Sequence, residues 1–134
     1  MTVLVSEQRA VLTAEDVLAT RQAVRQRAVA LGFNLVDQTK IVTAASELAR
    51  NTVQYGGGGT VTIEALEELG RRGIRLTFAD NGPGIPDIEL AMKDGYTTGG
   101  GLGLGLSGAR RLSNDFHIDS KPGEGTRVTI TRWR

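Results

Sequence analysis

The amino-acid sequence predicts an α+β fold, a two-layer sandwich in which helices cover one face of a mixed, mostly antiparallel sheet. The first observation is composition, because 40% of the residues are hydrophobic and 23% are charged, as in ordinary globular domains. The second is the order of periodicities, β-α-α-β-β-loop-α-β-β, which departs from strict alternation of strands and helices. The third is length, because 134 residues fit one domain, expected to span 1–134.

The first elements are a strand and two helices. Residues 3–5 predict a short strand, and Thr13 with Asp16 has the pattern of a capping box that begins a helix. Gly32 ends this helix, whose arginines either face solvent or form a docking face for a partner. Apolar residues at helical spacing predict a second helix over about 36–54, which ends at the glycine run 56–59.

The second half of the chain adds a hairpin, a loop and a closing pair of strands. Residues 61–65 and 74–78 alternate apolar and polar side chains, and a turn is expected at about 70–73. The breaker residues of 81–101 predict a functional loop that contains one short helix around 87–92. A further helix is predicted to start within the glycine cluster, followed by strands around 116–118 and 128–130 joined by the turn 121–125.

Composition and charge exclude several classes of function. Sixteen Lys and Arg against fifteen Asp and Glu leave a net charge of +1, which argues against a surface that binds nucleic acid. The absence of Cys rules out disulfides, thiolate nucleophiles, zinc ribbons and iron–sulfur clusters. No apolar run approaches the roughly 20 residues of a membrane span, and no charged-then-apolar leader is visible. We therefore expect a cytoplasmic protein with no nucleic-acid or membrane partner.

Asp80 is the first candidate site residue. It shares the two-residue period of the apolar positions in its strand, so its carboxylate should point toward the core side where the strand ends. A buried carboxylate needs partners, and two interpretations are open. Asp80 caps the following turn through an Asx-type hydrogen bond, or it accepts a donor from a ligand such as the amino group of a base. Gly82 and Gly84 favour the ligand, because they let a flat molecule approach the backbone closely.

Glu47 and Asn51 form a second candidate site. They lie four residues apart on the second predicted helix and therefore share one face, with β-carbons roughly 5–6 Å apart. Such a pair is often a solvated helix edge, but this one flanks the apolar stripe close to the helix end. A carboxylate beside a neutral oxygen ligand is suited to polarising a hydroxyl or a water and to holding Mg²⁺.

Glycine is the unusual residue, since it occurs 18 times and nine of these fall between Gly82 and Gly108. The stretch 99–105 precedes a predicted helix, where exposed backbone N–H groups favour a phosphate. It has neither the ending of a P-loop nor the preceding strand of a dinucleotide fold. Thr126 is expected to face inward on the last strand, and His117, the single histidine, is expected at the surface.

Four short motifs, taken in order, resemble the boxes of the GHKL superfamily of ATPases and kinases, which includes gyrase, Hsp90, histidine kinases and anti-sigma kinases. They are Glu47-Leu-Ala-Arg-Asn51, Asp80-Asn-Gly-Pro-Gly84, the cluster 99–105 and Gly125-Thr126. Within the superfamily, SELARN, DNGPGIPDIELAMKDGYTTGGGLGLGL and PGEGTRVTITRW look most like the RsbT-type switch serine kinases of the stressosome. Thr52 departs from the pattern, since many relatives carry Ala after the Asn.

The resemblance implies the Bergerat ATP-binding fold and a role for each motif residue. Asp80 would accept the adenine amino group, Asn51 would bind Mg²⁺, Glu47 would be the general base, and Thr126 would support the adenine. The glycine boxes would contact the nucleotide, mainly through backbone amides to its phosphates. The residues expected there are Gly82, Gly84, Gly99, Gly100, Gly101, Leu102, Gly103 and Gly105.

The resemblance also implies an activity, an ATP- and Mg²⁺-dependent protein serine kinase that phosphorylates a STAS-domain antagonist in a partner-switching stress pathway. Such a kinase also activates a downstream phosphatase by binding it. The alternative is a nucleotide-gated anti-sigma-type binding module, which sequesters a regulator such as a sigma factor with little or no phosphotransfer. A third possibility is a simple ATPase, which would release phosphate steadily without a partner.

Overall fold

A five-stranded antiparallel sheet and two long helices form the two layers of the computed structural model, which describes residues 1–93 and 105–134. The strand order is β1-β2-β3-β5-β4, and each neighbouring pair is antiparallel, so the predicted α+β sandwich is confirmed. In chain order the elements are β1 (Thr2–Val11), α1 (Ala14–Ala30), α2 (Leu35–Gln54), β2 (Gly59–Glu68), β3 (Arg71–Asp80), α3 (Ile88–Ala91), α4 (Gly105–Arg111), β4 (Asp115–Ser120) and β5 (Thr126–Trp133).

The capping box predicted for α1 is confirmed. The Thr13 side chain accepts a hydrogen bond from the Asp16 backbone N–H at 3.2 Å, and the Asp16 carboxylate accepts one from the Thr13 N–H at 3.3 Å. These two bonds satisfy N–H groups that the first helical turn leaves unpaired. The helix ends at the Leu31 cap, and Gly32 follows with a φ of +82°, a conformation that favours glycine.

The core lies between α1, α2 and one face of the sheet. Apolar side chains of β2, β3 and β5 alternate toward the helices, and α2 contributes a buried face that includes Ile41, Ala45 and Leu48. Asn34 caps the start of α2 by accepting a hydrogen bond from the Asp37 N–H at 2.8 Å. Because α2 is fixed by this packing, its C-terminal turn, which carries Asn51, has a defined position above the sheet.

The hairpin between β2 and β3 differs from the sequence-based prediction. The turn falls at Leu69 and Gly70, with φ values of +52° and +79°, so the expected turn at about 70–73 is correct at Gly70 and wrong for 71–73, which lie in β3. Gly73 lies inside β3 opposite Trp133, where a β-carbon would come within 2.6 Å of the indole ring. This glycine therefore makes room for a neighbouring aromatic side chain, a tertiary demand that local sequence patterns do not reveal.

The strand β1 is also longer than the predicted 3–5. It extends to Val11 because its polar second half pairs residue by residue with β2 at the edge of the sheet. The short α3 and the start of α4 agree with prediction, as does the pairing of β4 with β5. Within the described residues, every helix is too short or too polar to cross a membrane.

Candidate functional site

Four chain segments meet at one end of the sheet. Asp80 is the last residue of β3, and it pairs with Thr126, the first residue of β5, and with Gly59 of β2. The C-terminal turn of α2 reaches the same place, because Gly56 packs directly against the Asp80 side chain. The sequence motifs that contain Asn51, Asp80 and Thr126 are therefore brought together by the fold.

The two oxygens of the Asp80 carboxylate have different environments. Oδ1 accepts a hydrogen bond from the Gly82 N–H at 2.9 Å, so the interpretation of Asp80 as the cap of the following turn is confirmed. Oδ2 lies on the side of Gly56, where an added β-carbon would come within 2.5 Å of it. Among the described residues, no donor is bonded to Oδ2. Because Asp80 is only half-buried, this oxygen can accept a hydrogen bond from a ligand.

Gly56 is a site residue that the sequence interpretation used only as a helix stop. A β-carbon at Gly82 would lie 2.7 Å from the Gly56 carbonyl oxygen, so the two backbones touch without room for a side chain. Together Gly56 and Gly82 leave bare backbone on two sides of the Asp80 carboxylate. The signal was present in the sequence, since the run 56–59 follows a long helix and contains more glycines than a helix stop requires.

Ser120 is a second residue that sequence reasoning missed. Its Oγ accepts a hydrogen bond from the Ile85 N–H at 2.8 Å, donates to the Gly125 carbonyl at 3.0 Å, and lies 2.9 Å from the Thr126 hydroxyl oxygen. Since its one proton goes to Gly125, Ser120 accepts the proton of Thr126. The Thr126 oxygen thus keeps its lone pairs as acceptors. The sequence did contain a signal for Ser120, because it shares the two-residue period of Ile118 and therefore lies on the same face of β4.

Asn51 and Glu47 occupy the C-terminal half of α2 and are both half-buried. Asn51 adjoins the start of α4, because a β-carbon at Gly105 would lie 2.8 Å from its Nδ2. Glu47 lies one turn earlier and accepts a hydrogen bond from Arg50 at 3.0 Å. The side chains of Arg50 and Glu47 are 49% and 30% exposed, so this ion pair is weak and Glu47 is readily released.

The other predicted site residues divide into two groups. Gly84 has a φ of +75° and packs against the Lys121 carbonyl, so it joins the loop after β3 to the turn before β5. Five predicted nucleotide contacts lie outside the described residues: Gly99, Gly100, Gly101, Leu102 and Gly103.

His117 is exposed, as predicted. Thr52, the departure from the family pattern, is buried and donates its hydroxyl to the Leu48 carbonyl at 2.9 Å, so it leaves no polar group unpaired.

The described residues fit a nucleotide. A free carboxylate oxygen beside bare glycine backbone suits the amino edge of a flat base. The Asn51 amide, which lies beside the first residue of α4, suits the metal-bound phosphate end of such a molecule. The two features are linked at the end of α2, which carries Asn51 and is followed by Gly56, whose N–H donates to the Asn51 carbonyl at 3.2 Å.

Comparisons with known proteins show the family to which the chain belongs. Residues 36–133 match the family model described as histidine kinase-, DNA gyrase B-, and HSP90-like ATPase. Among curated relatives, the serine/threonine-protein kinase RsbT of Bacillus subtilis (strain 168) is 46% identical over 92% of both chains. An anti-sigma F factor of Bacillus licheniformis is 35% identical over 70% of this chain and 68% of that protein.

Solved structures share the fold at lower identity. The structure of the RsbU and RsbW domains of Rv1364c from Mycobacterium tuberculosis superposes with a TM-score of 0.63 at 21% identity, over 96% of this chain and 33% of that one. The mycobacterial sensor histidine kinase MprB gives a TM-score of 0.57 at 19% identity, over 96% and 97% of the two chains. By its sequence match and by its fold, the chain belongs to the family of histidine kinase-, DNA gyrase B- and HSP90-like ATPases.

Proposed function

We propose that this chain is an ATP- and Mg²⁺-dependent protein serine kinase that phosphorylates a STAS-domain antagonist and activates a downstream phosphatase by binding it. The enzyme class rests on 46% identity to a serine/threonine-protein kinase over 92% of the chain, and a protein kinase is the plain interpretation of that identity. The substrate, the output of the pathway and the assignment of 1–134 to one kinase domain are proposals that go beyond this identity.

The observation that carries the proposal is the meeting of Asp80, Asn51 and Gly105 around the C-terminal turn of α2. The free oxygen of Asp80 would accept the adenine amino group, and Thr126 would add a second acceptor beside it. Asn51 would hold Mg²⁺ through its amide oxygen, as one ligand of an ion that is otherwise bound by phosphates and water. When bound, Mg²⁺ neutralises charge on the transferring phosphate.

Glu47 would take the proton of the acceptor hydroxyl. Its carboxylate lies on the same helix face as Asn51, one turn away, so a base placed there is next to the metal-bound end of the nucleotide. The ion pair with Arg50 is partly exposed to solvent, so a substrate hydroxyl can replace the guanidinium beside Glu47. Most of the rate enhancement in phosphoryl transfer comes from positioning and charge neutralisation, and a positioned base typically adds 10²–10⁴-fold.

Phosphoserine formation tests the proposal directly. We expect the purified chain, with ATP, Mg²⁺ and a STAS-domain protein, to convert one serine of that protein to phosphoserine, measured by mass spectrometry. Glu47→Gln is expected to lower the rate at least 100-fold, because the amide cannot accept the hydroxyl proton. Arg50→Gln is the matched control, since it removes the partner of Glu47 and keeps the base. A wild-type chain that binds ATP and leaves the serine unmodified would show that the kinase proposal is wrong.

The second candidate is the nucleotide-gated binding module, which is favoured by the 35% identity to an anti-sigma F factor. A Glu47→Ala variant separates the two functions. If it still binds its partner and changes that partner's activity, docking is the main function. If regulation is lost together with phosphotransfer, catalysis is the main function. Steady release of phosphate without any partner would instead indicate a simple ATPase.

A further inference from the structure

Arg132 has an unusual position on the last strand. It pairs with Ile74 across β3 and β5 and shares the period of Val128 and Ile130, so it lies on the core side of the sheet. Its side chain is 13% exposed, and its buried Nε has no hydrogen-bond partner in the part of the chain that the structure describes. Burial of a guanidinium is costly unless it is paired. The contacts that offset this cost show what Arg132 holds in place.

The guanidinium joins two helices. Nη2 donates to Asp37 Oδ1 at 2.6 Å in the first turn of α2, and Nη1 donates to the Leu112 carbonyl at 2.9 Å, just after the end of α4. A cation at the C-terminal end of a helix satisfies an unpaired carbonyl and interacts favourably with the helix dipole. Arg132 therefore fastens the end of α4 to the start of α2 and to the sheet.

The opposite end of α4 lies at the candidate site. Gly105, its first residue, adjoins Asn51 near the C-terminus of α2. Because α4 has only seven residues, it is about 10 Å long at 1.5 Å per residue. A helix this short does not hold its place by itself, so its position depends on tertiary contacts at both ends.

We propose that Arg132 is a positioning residue for the nucleotide site, which holds α4 so that Gly105 stays against Asn51. The proposal rests on the nucleotide-binding role given above for Asn51. Arg132 touches no part of the reacting group. Its effect is transmitted through α4, and it is specific for the metal-phosphate end of the nucleotide site, since Asp80 is fixed separately by β3 and Gly82.

The chain contains a matched control. Arg75 and Glu64 form a two-bond ion pair between β3 and β2, with N–O distances of 2.8 and 3.1 Å, on the other face of the sheet. The Glu64 carboxylate raises the pKa of Arg75 above its ordinary value through these hydrogen bonds. Arg75→Gln removes a similar ion pair without touching α4.

Three measurements compare Arg132→Gln with Arg75→Gln. By titration calorimetry, we expect Arg132→Gln to weaken binding of MgATP at least fivefold and Arg75→Gln to weaken it less than twofold. The affinity for AMP without metal, measured by NMR titration, should change less than twofold in both variants. By amide hydrogen exchange without nucleotide, residues 105–112 should exchange faster in Arg132→Gln than in wild type or in Arg75→Gln.

Equal MgATP affinity and equal exchange in the two variants would overturn the proposal, and so would an equal loss of AMP and MgATP binding. If Arg132→Gln does not fold, Asp37→Asn replaces it, because that variant keeps the bond to Leu112 and should lose two- to threefold in MgATP affinity. If wild type itself fails to bind MgATP, the proposed function is wrong, and the exchange comparison alone decides whether Arg132 positions α4.

Discussion

At the scale of single residues, the two oxygens of the Asp80 carboxylate have different roles. Oδ1 caps the turn at Gly82, and Oδ2 is free among the described residues to bind a ligand. Asn in this position keeps an acceptor for the Gly82 N–H and replaces the other oxygen with a donor. Asp80→Asn therefore tests ligand binding with the turn preserved, which Asp80→Ala does not.

We expect Asp80→Asn to weaken ATP binding at least tenfold, about 1.4 kcal/mol, because two donors then face each other at the adenine edge. Titration calorimetry with and without Mg²⁺ measures this loss. The thermal midpoint of the unliganded variant should stay close to that of wild type, whereas Asp80→Ala should lower it through the lost Gly82 bond. Unchanged ATP affinity in Asp80→Asn would contradict the assignment of Asp80 to adenine.

Ser120 is the residue-scale link between the loop after β3 and the turn before β5. Ser120→Ala removes the acceptor of the Ile85 N–H and the partner of Thr126, so we expect a loss of about 1–3 kcal/mol in the free energy of unfolding. Urea denaturation measures it. Ser113→Ala is the control, since its Oγ makes a single bond to the Ala109 carbonyl. A loss no larger than the control's would show that Ser120 does not join the two segments.

At the scale of elements, the β2–β3 turn has a strained backbone although it lies outside the candidate site. Leu69 adopts a φ of +52° and is 98% exposed, although such a conformation favours Gly or Asn. Two-residue hairpin turns with positive φ at both positions prefer Asn-Gly. We expect Leu69→Asn to stabilise the fold by about 1 kcal/mol, measured by urea denaturation. A destabilised Leu69→Asn variant would mean that the Leu69 side chain has an unrecognised contact.

Local patterns predicted most elements because each depends on neighbours in sequence. The capping box at Thr13 and the two-residue period that turns Asp80 inward need only a few adjacent residues, and both were predicted correctly. The β2–β3 turn was predicted too late in the chain because Gly73 looked like a turn residue, although its lack of a side chain makes room for Trp133, sixty residues away. Sequence periodicity carries no information about which distant side chain fills the space above a glycine.

At the scale of the whole molecule, the candidate site depends on contacts that join distant parts of the chain. Four motifs in order indicated that Asn51, Asp80 and Thr126 belong to one site, and the fold brings them to one end of the sheet. The glycine run and the two-residue period single out Gly56 and Ser120 in the sequence, but their contacts could not be predicted, since they depend on how the end of α2 and the start of β5 pack around Asp80.

This arrangement predicts that nucleotide binding stabilises the whole fold, because the site is formed by α2, β3, α4 and β5 together. A ligand at 100 times its Kd adds about 2.7 kcal/mol to the free energy of unfolding, provided that it binds the folded state alone. We expect wild type and Glu47→Gln to gain this full amount from MgATP, since Glu47 acts in transfer. At the same ATP concentration, Asp80→Asn should gain only about 1.4 kcal/mol, because its Kd is tenfold higher. Urea denaturation at fixed MgATP measures all three. If saturating MgATP leaves the unfolding of wild type unchanged, the ligand either does not bind or binds a part of the chain that unfolds independently, and the site described here is not its site.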